Sequence, residues 1–163
     1  MLDQLDTFLT CGYAHFNEPD LIDLSKFKIT NVEVNDNLES NFTETELLML
    51  NSFTEFISEK YIKPLYKNFD IVYCCVWDGV DMGSTAWHND SVEGFDINVL
   101  YYFDDTNPLV GGSVEFRHPT GEHKIYPVAG DLVFINQNKK FFHKASRSTA
   151  CRRVASIEYK VYE

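Results

Sequence analysis

Residues 96–136, with the sequence DINVLYYFDDTNPLVGGSVEFRHPTGEHKIYPVAGDLVFIN, contain four short apolar runs separated by turns. These strand-like runs are Asp96–Phe103, Ser113–Arg117, His123–Pro127 and Asp131–Ile135. The turn residues between them are Asn107-Pro108, Gly111-Gly112, Gly121 and Gly130. Two further runs of this kind are Ile71–Trp77 and Arg153–Tyr162. Many short strands at this spacing favour a β-sandwich or barrel over alternating βαβ units.

The first third of the chain has helical patterns instead. A short amphipathic helix is predicted from the spacing of Leu2, Leu5, Phe8 and Leu9. A second helix is predicted to begin at a capping box formed by Thr43 and Glu46, flanked by the staple pair Phe42 and Leu47. Its apolar positions are Leu50, Phe53, Ile57 and Tyr61, and Pro64 is expected to end or kink it. The alternating segment Ile29–Val34 predicts an edge strand.

Composition excludes several classes of protein. The 163 residues are 44% hydrophobic and 15% aromatic, which is too apolar for a mostly disordered chain and enough for one domain with a core. A net charge of −11 disfavours nucleic acid and anionic membranes, because both attract basic faces. The sequence has neither a long apolar span nor the basic start of a signal peptide. Its four cysteines lack metal-finger spacing, so we expect reduced thiols and a cytoplasmic location.

The main chemical pattern is two histidines and a carboxylate. Residues two apart in an extended segment share a side, so His88 and Asp90 can bind one ion together. His143, far along the chain, would complete one face of an octahedron from another strand. Two histidines and one carboxylate, with open positions left, form the ligand set of non-haem Fe(II) oxygenases. An H-x-D pattern taken alone is more typical of a surface histidine beside an aspartate than of a metal site.

From Trp87 onward the sequence resembles the iron- and 2-oxoglutarate-dependent dioxygenases, especially their prolyl-4-hydroxylase-like branch. Five similar segments occur in the family's order: Trp87-His88-Asn89-Asp90, Leu100–Asp105, Gly111–Phe116, Tyr126–Phe134, and His143 followed by Arg152 and Arg153. Each segment is short, but their shared order is specific. The resemblance covers about the C-terminal half of the chain.

The resemblance implies a mainly β fold with N-terminal helices, a double-stranded β-helix or jelly roll of about eight strands. We expect a single domain over residues 1–163, with 1–69 as mostly helical support and 70–163 as the jelly-roll core. His88, Asp90 and His143 would bind Fe(II), with 2-oxoglutarate as cosubstrate and O₂ as oxidant. The implied reaction is hydroxylation of an unactivated C–H group, with release of succinate and CO₂.

The resemblance also implies a basic residue that pairs with the far carboxylate of 2-oxoglutarate, nine or ten positions after the second histidine. Both Arg152 and Arg153 fit this spacing. Arg153 shares a strand face with Ala155 and Ile157, which predicts an inward side chain. Arg152 shares the other face with polar residues such as Glu158, which predicts a solvated one. We therefore assign the cosubstrate to Arg153.

Two aromatic positions bear on the same pocket. The resemblance places Tyr102 toward the cosubstrate, whose far carboxylate its hydroxyl would bind. A tyrosine packed in the core is the alternative, since both faces of that strand are apolar. The family's tyrosine on the strand before the H-x-D motif is replaced here by Trp77, whose indole donates but does not accept hydrogen bonds. A contact between Trp77 and the cosubstrate is therefore open.

Two rival functions remain. A non-catalytic binding module on this fold would be expected to lack a triad member or the arginine, and a cupin-like metalloenzyme without 2-oxoglutarate usually has more histidines. The substrate is expected to be a residue of a peptide or protein, with proline as one candidate, or a small molecule. Acidic residues of the flanking loops, Asp78, Asp81 and Glu93, fit a basic or neutral substrate but fit mere solubility equally well.

Overall fold

The computed structural model describes residues 2–23, 43–78, 84–91 and 94–162. Within these ranges the chain forms two α-helices and eight β-strands. In chain order they are α1 (Leu2–Cys11), β1 (Tyr13–Asn17), α2 (Glu44–Ile57), β2 (Asn68–Asp78), β3 (Ile97–Tyr102), β4 (Val114–His118), β5 (Gly121–Ile125), β6 (Asp131–Asn136), β7 (Phe142–Ala145) and β8 (Arg153–Tyr162). A π-helical turn, Ser58–Ile62, extends α2 toward Pro64.

The two predicted helices and the six predicted strand runs are confirmed, with ends that differ by a few residues. Strand β1 was not predicted and lies in the third expected to be helical. Strand β7 has only four residues, too few for a visible alternation, although His143 was expected on a strand. The predicted edge strand Ile29–Val34 falls outside the described residues.

The described strands form two antiparallel sheets. The major sheet has the order β1-β6-β3-β8-β2, and the minor sheet has the order β5-β4-β7. One apolar cluster joins them: Tyr102 and Val133 of the major sheet pack with Val114 and Phe116 of the minor sheet. The predicted jelly roll is therefore confirmed, and we call the space between the sheets the roll interior.

Both faces of the major sheet are buried, against different partners. One face packs on the helices, where Ile157 of β8 belongs to the same cluster as Phe53 of α2. The other face lines the roll interior, where Val154 of β8 packs with Tyr102. Each large apolar side chain buried in this way contributes roughly 1.5–3 kcal/mol. A strand of this sheet consequently carries buried residues at successive positions rather than at alternate ones.

Helix α2 begins as predicted, at a complete capping box. Thr43 Oγ1 accepts a hydrogen bond from Glu46 N at 3.3 Å, and Glu46 Oε2 accepts one from Thr43 N at 2.6 Å. Such a cap contributes about 1 kcal/mol. The predicted apolar positions, Leu50, Phe53, Ile57 and Tyr61, are all buried. The proposed staple includes Phe42, which is outside the described residues.

No helix in the described part of the chain is long and apolar enough to cross a membrane.

The Gly111-Gly112 turn fixes the loop before β8. Both glycines have positive φ, at 80° and 81°. A Cβ on Gly111 would lie 2.1 Å from the Arg147 carbonyl oxygen, so only glycine permits this approach. Gly112 N also donates to that carbonyl at 3.1 Å. The turn thereby holds the β7–β8 connection, which leads from His143 to the two arginines.

Candidate metal centre

The structure brings His88, Asp90 and His143 together. One nitrogen or oxygen atom of each lies within 4.8 Å of the others. His143 Nε2 is 3.3 Å from Asp90 Oδ2, and His88 Nε2 is 3.6 Å from Asp90 Oδ1. The two imidazole ring centres are 4.2 Å apart. Three donor atoms thus converge on one small volume, as a shared metal ion requires.

A backbone bridge joins the two histidines. His88 N donates to His143 O, and His143 N donates to His88 O, each at 3.0 Å. His143 lies opposite Phe116 in the β4–β7 register, so its side chain shares the interior face of the minor sheet. The distant ligand is therefore held beside the H-x-D segment by main-chain hydrogen bonds.

The His88 ring is oriented by a second contact. Its Nδ1 lies 2.8 Å from the carbonyl oxygen of Ala86. Because a carbonyl only accepts, Nδ1 donates in this contact, and Nε2 is the nitrogen that faces Asp90 and is available to a metal ion. Metal-binding histidines typically have such an outer partner on the nitrogen that does not bind the ion.

Two residues that the sequence reasoning missed hold the ligand segment in place. Gln137 Oε1 accepts from Asp90 N at 3.0 Å, and Gln137 Nε2 donates to Asp90 Oδ2 at 3.2 Å. Asn89 Nδ2 donates to the carbonyl oxygens of Asn138 and Phe141, at 3.0 and 2.8 Å. Asn89 lies within the H-x-D segment and Gln137 lies outside every motif, but the role of each depends on partners that only the folded chain brings close.

The electrostatics of the cluster keep the Asp90 carboxylate charged. Partial burial alone would raise the pKa of Asp90, but the His143 hydrogen bond, the two imidazoles and the Gln137 amide hold it below its usual value. A charged carboxylate and two imidazoles, one of them with its Nε2 directed toward the cluster, are donors that Fe(II) accepts in a facial arrangement. The residues present therefore fit the iron that the sequence suggests.

The expected orientation of the two arginines is wrong. Arg152, expected to be solvated, is only 3% exposed. Arg153 pairs with Asp104, whose Oδ2 accepts from Arg153 N at 2.8 Å and from Nε at 2.9 Å. The Arg153 side chain keeps 35% of its surface and lines an outer cleft with Phe103 and Ala129.

The error has a physical cause. The apolar residues that share a face with Arg153, Ala155 and Ile157, pack on the helices rather than in the roll interior. Arg152 precedes β8 by one residue and continues the parity of Val154, which does face the interior. The burial of Ala155 and Ile157 therefore suggested that their face of β8 lines the pocket, whereas that face packs against the helices.

Tyr102 lies at the same end of the roll interior as Arg152. Its side chain is completely buried, and its hydroxyl has no hydrogen-bond partner among the described residues. Burial raises the pKa of Tyr102 to about 12, against the opposing effect of the Arg152 charge. The neighbouring Tyr101 faces the helices, where its hydroxyl contacts Leu21 N at 3.3 Å. Trp77 pairs with Val154 through the backbone, and its side chain is outside the described part.

Comparison with known proteins gives structural matches without sequence matches. No protein-family model and no curated protein matches the chain. A prolyl hydroxylase from Trichoplax adhaerens, in complex with a hypoxia-inducible-factor oxygen degradation domain peptide, has a TM-score of 0.70 at 15% identity, over 97% of this chain and 87% of its own. A 2OG-Fe(II) oxygenase family oxidoreductase from Burkholderia pseudomallei has a TM-score of 0.71 at 12% identity, covering 99% and 91%.

A third match differs in its reaction. The non-haem α-ketoglutarate-dependent epimerase SnoN from nogalamycin biosynthesis has a TM-score of 0.64 at 13% identity, over 98% of this chain and 82% of its own. Identities this low establish a shared fold and nothing finer. The chain thus has the jelly-roll fold of the 2-oxoglutarate- and Fe(II)-dependent oxygenases, a fold that it shares with prolyl hydroxylases.

Proposed function

We propose that this protein is an Fe(II)- and 2-oxoglutarate-dependent oxygenase that hydroxylates a C–H group. The observation that carries the proposal is the convergence of His88, Asp90 and His143 within 4.8 Å, from two separate chain segments. The overall reaction converts substrate C–H, 2-oxoglutarate and O₂ into substrate C–OH, succinate and CO₂. Bound iron would supply the activation of O₂ that protein side chains cannot provide.

Arg152 and Tyr102 are the residues that we assign to the cosubstrate. A buried guanidinium can bind the far carboxylate of 2-oxoglutarate through two N–H groups. The buried Tyr102 hydroxyl lacks a hydrogen-bond partner among the described residues, and an anion beside Arg152 would supply one. This assignment replaces Arg153, whose side chain binds Asp104 instead.

The surrounding residues would orient the reactants and exclude water. Val154 and Val133 wall the roll interior between the arginine and the ligand segment, and neither has any exposed surface. A dry wall strengthens the ion pair between Arg152 and a carboxylate, because the local dielectric is low. The outer partners of His88 and Asp90 would keep their donor atoms directed at the metal.

For the substrate, we propose only a class: a residue of a peptide or protein, or a small molecule. A peptide or protein residue, with proline as one candidate, fits the likeness to a peptide-bound prolyl hydroxylase. A small molecule fits the likeness to SnoN equally well. A non-catalytic module or a cupin-like enzyme without 2-oxoglutarate is the alternative function, but neither accounts for a buried arginine beside a buried hydroxyl.

The proposal is tested by substrate-independent turnover. Purified protein with Fe(II), 2-oxoglutarate and O₂ should form succinate slowly, through oxidation of the cosubstrate in the absence of a C–H substrate. His143→Ala should abolish this signal, and Arg117→Ala, on an exposed outer position, should leave it intact. Succinate formation that is equal in the wild type and in His143→Ala would contradict the proposal.

A further inference from the structure

The strand registers place three polar residues side by side on the interior face of the major sheet. Glu158 of β8 lies opposite Tyr73 of β2 and opposite Asn98 of β3. Directly opposite residues in antiparallel pairs share a face, so these three form one row across neighbouring strands. The next rows on that face contain Ser156 with Leu100 and Val154 with Tyr102. The Tyr73–Glu158–Asn98 row therefore lies in the roll interior.

The row lies beside the metal-binding segment. Ile135 of β6 is opposite Asn98, and two residues further on the same face stands Gln137, which holds Asp90. All three row residues are only partly buried, so the row keeps surface that a molecule entering from solvent can contact. Arg152 is on the same face, six residues before Glu158, which is roughly 20 Å along an extended strand. The cationic Arg152 and the anionic Glu158 are thus well separated along one face of the chain.

The row is built of hydrogen-bonding groups. The Tyr73 hydroxyl is buried and has no partner of acceptable geometry among the described residues. Burial, the neighbouring Cys75 thiol and the Glu158 carboxylate all raise the pKa of Tyr73. Asn98 Oδ1 accepts from Ser156 Oγ at 2.9 Å, which fixes its amide.

We propose that the Tyr73–Glu158–Asn98 row binds a cationic nitrogen group of the substrate, an amine or a guanidinium. This inference rests on the proposed function, since it names the substrate class of the same site. A partly buried carboxylate favours a cation over a neutral group, and the tyrosine and asparagine oxygens accept its remaining N–H bonds. The far carboxylate of 2-oxoglutarate would bind at Arg152, six residues before Glu158 on the same face, so the two ligands do not compete.

The test is binding to anaerobic protein that contains Fe(II) and 2-oxoglutarate. Calorimetry with free L-lysine, L-arginine and a peptide with one central lysine is compared with norleucine, citrulline and the norleucine peptide. We expect the cationic member of each pair to bind at least about tenfold more tightly. The free amino acids and the peptide distinguish a small-molecule substrate from a polypeptide one. Equal binding within every pair, or binding of no member of the panel, overturns the proposal.

Variants separate this inference from the proposed function. Glu158→Gln should remove the cation preference, Glu158→Asp should retain part of it, and Glu122→Gln on the exposed β5 hairpin should change nothing. Uptake of Fe(II) and 2-oxoglutarate should be unchanged in all three. If Glu158→Gln keeps the full preference, the row is not the cation site, even when cosubstrate binding is normal. If the protein does not bind 2-oxoglutarate, the same titration with zinc and without 2-oxoglutarate still measures the preference for the cationic ligand of each pair.

Discussion

The Gln137 side chain holds Asp90 at two atoms at once. It accepts from the Asp90 backbone N–H at 3.0 Å and donates to the Asp90 carboxylate at 3.2 Å. Gln137 is itself only 2% exposed and follows β6 of the major sheet, whereas His143 comes from the minor sheet. The candidate metal centre is thus tied to both sheets of the roll.

We expect Gln137→Glu to weaken metal binding about 10- to 100-fold, as changes in the outer partners of metal ligands do. The glutamate replaces a donor to Asp90 with a second carboxylate, which repels Asp90 and turns it from the ion. Titration with Co(II), followed by its visible absorption, measures both affinity and ligand geometry. The matched control is Asn138→Asp, which makes the same change from amide to carboxylate at the adjacent exposed residue. An unchanged Co(II) spectrum and affinity in Gln137→Glu would show that Gln137 does not position the ligand.

His143→Ala and Asp90→Ala should lose bound iron, because two donors do not define the facial site. The loss should exceed the roughly 10- to 100-fold effect of changing an outer partner. Metal analysis of proteins purified with added Fe(II) measures it, with His118→Ala, which lies at the exposed β4–β5 turn, as the matched control. Wild-type iron content in His143→Ala would contradict the assignment of this ligand.

Arg152→Ala should lower the affinity for 2-oxoglutarate about 10²- to 10³-fold or more. It leaves a carboxylate buried without its partner, which costs roughly 3–5 kcal/mol. Arg153→Ala should change that affinity by less than about threefold, because its side chain is bound to Asp104 and partly solvated. Anaerobic calorimetry with both variants compares them directly. The reverse ranking would restore the orientation expected from the sequence.

Tyr102→Phe should separate stability from binding. The hydroxyl is buried without a partner among the described residues, so its removal should leave the unliganded protein as stable as before or about 1 kcal/mol more stable. The affinity for 2-oxoglutarate should fall about tenfold, since a hydrogen bond to a charged group is lost. Thermal unfolding without 2-oxoglutarate measures the stability of the unliganded protein, and the shift in Tm on adding 2-oxoglutarate reports its affinity. A variant that is destabilised without ligand and binds normally would make Tyr102 a core residue only.

Asp104→Asn should destabilise the protein in a pH-dependent way. Partial burial would raise the pKa of Asp104, but its hydrogen bonds and ion pair with Arg153 hold the pKa below the usual value. The carboxylate therefore stabilises the fold above the ordinary aspartate pKa, and this stabilisation is lost as the pH falls through the lower folded value. Because Arg153 is 35% exposed, we expect about 1 kcal/mol near neutral pH. Urea unfolding at pH 7 and pH 3 checks whether the difference in the free energy of unfolding becomes smaller in acid.

The sequence predicted local structure well wherever one physical rule acts alone. The Thr43 capping box, the β8 segment and the paired glycines Gly111-Gly112 all depend on neighbouring residues, and all are confirmed. The convergence of His88 with His143 was also foreseen, but from the resemblance to the dioxygenases, because spacing alone does not single out His143 among the five histidines.

The sequence did not predict the orientation of a side chain correctly where that orientation depends on which element packs against each face of the strand. Arg152 and Arg153 differ only in which face of the strand they share. Because both faces of β8 are buried, the sequence pattern does not show which face lines the pocket. Strand β1 was missed for a related reason, since its pairing with β6 is a contact between distant segments. The hydrogen bonds of the Asn89 and Gln137 amides could not be predicted from the sequence, because only the fold brings their partners close.

The most direct test of the central claim is anaerobic absorption spectroscopy. Fe(II) and 2-oxoglutarate are added in turn to the metal-free protein, and the visible charge-transfer band of a chelated 2-oxo acid is recorded. We predict a saturable band that requires both additions, is absent in His143→Ala, and shifts to much higher 2-oxoglutarate concentration in Arg152→Ala. A wild-type protein that binds Fe(II) but develops no band at any 2-oxoglutarate concentration would contradict the account.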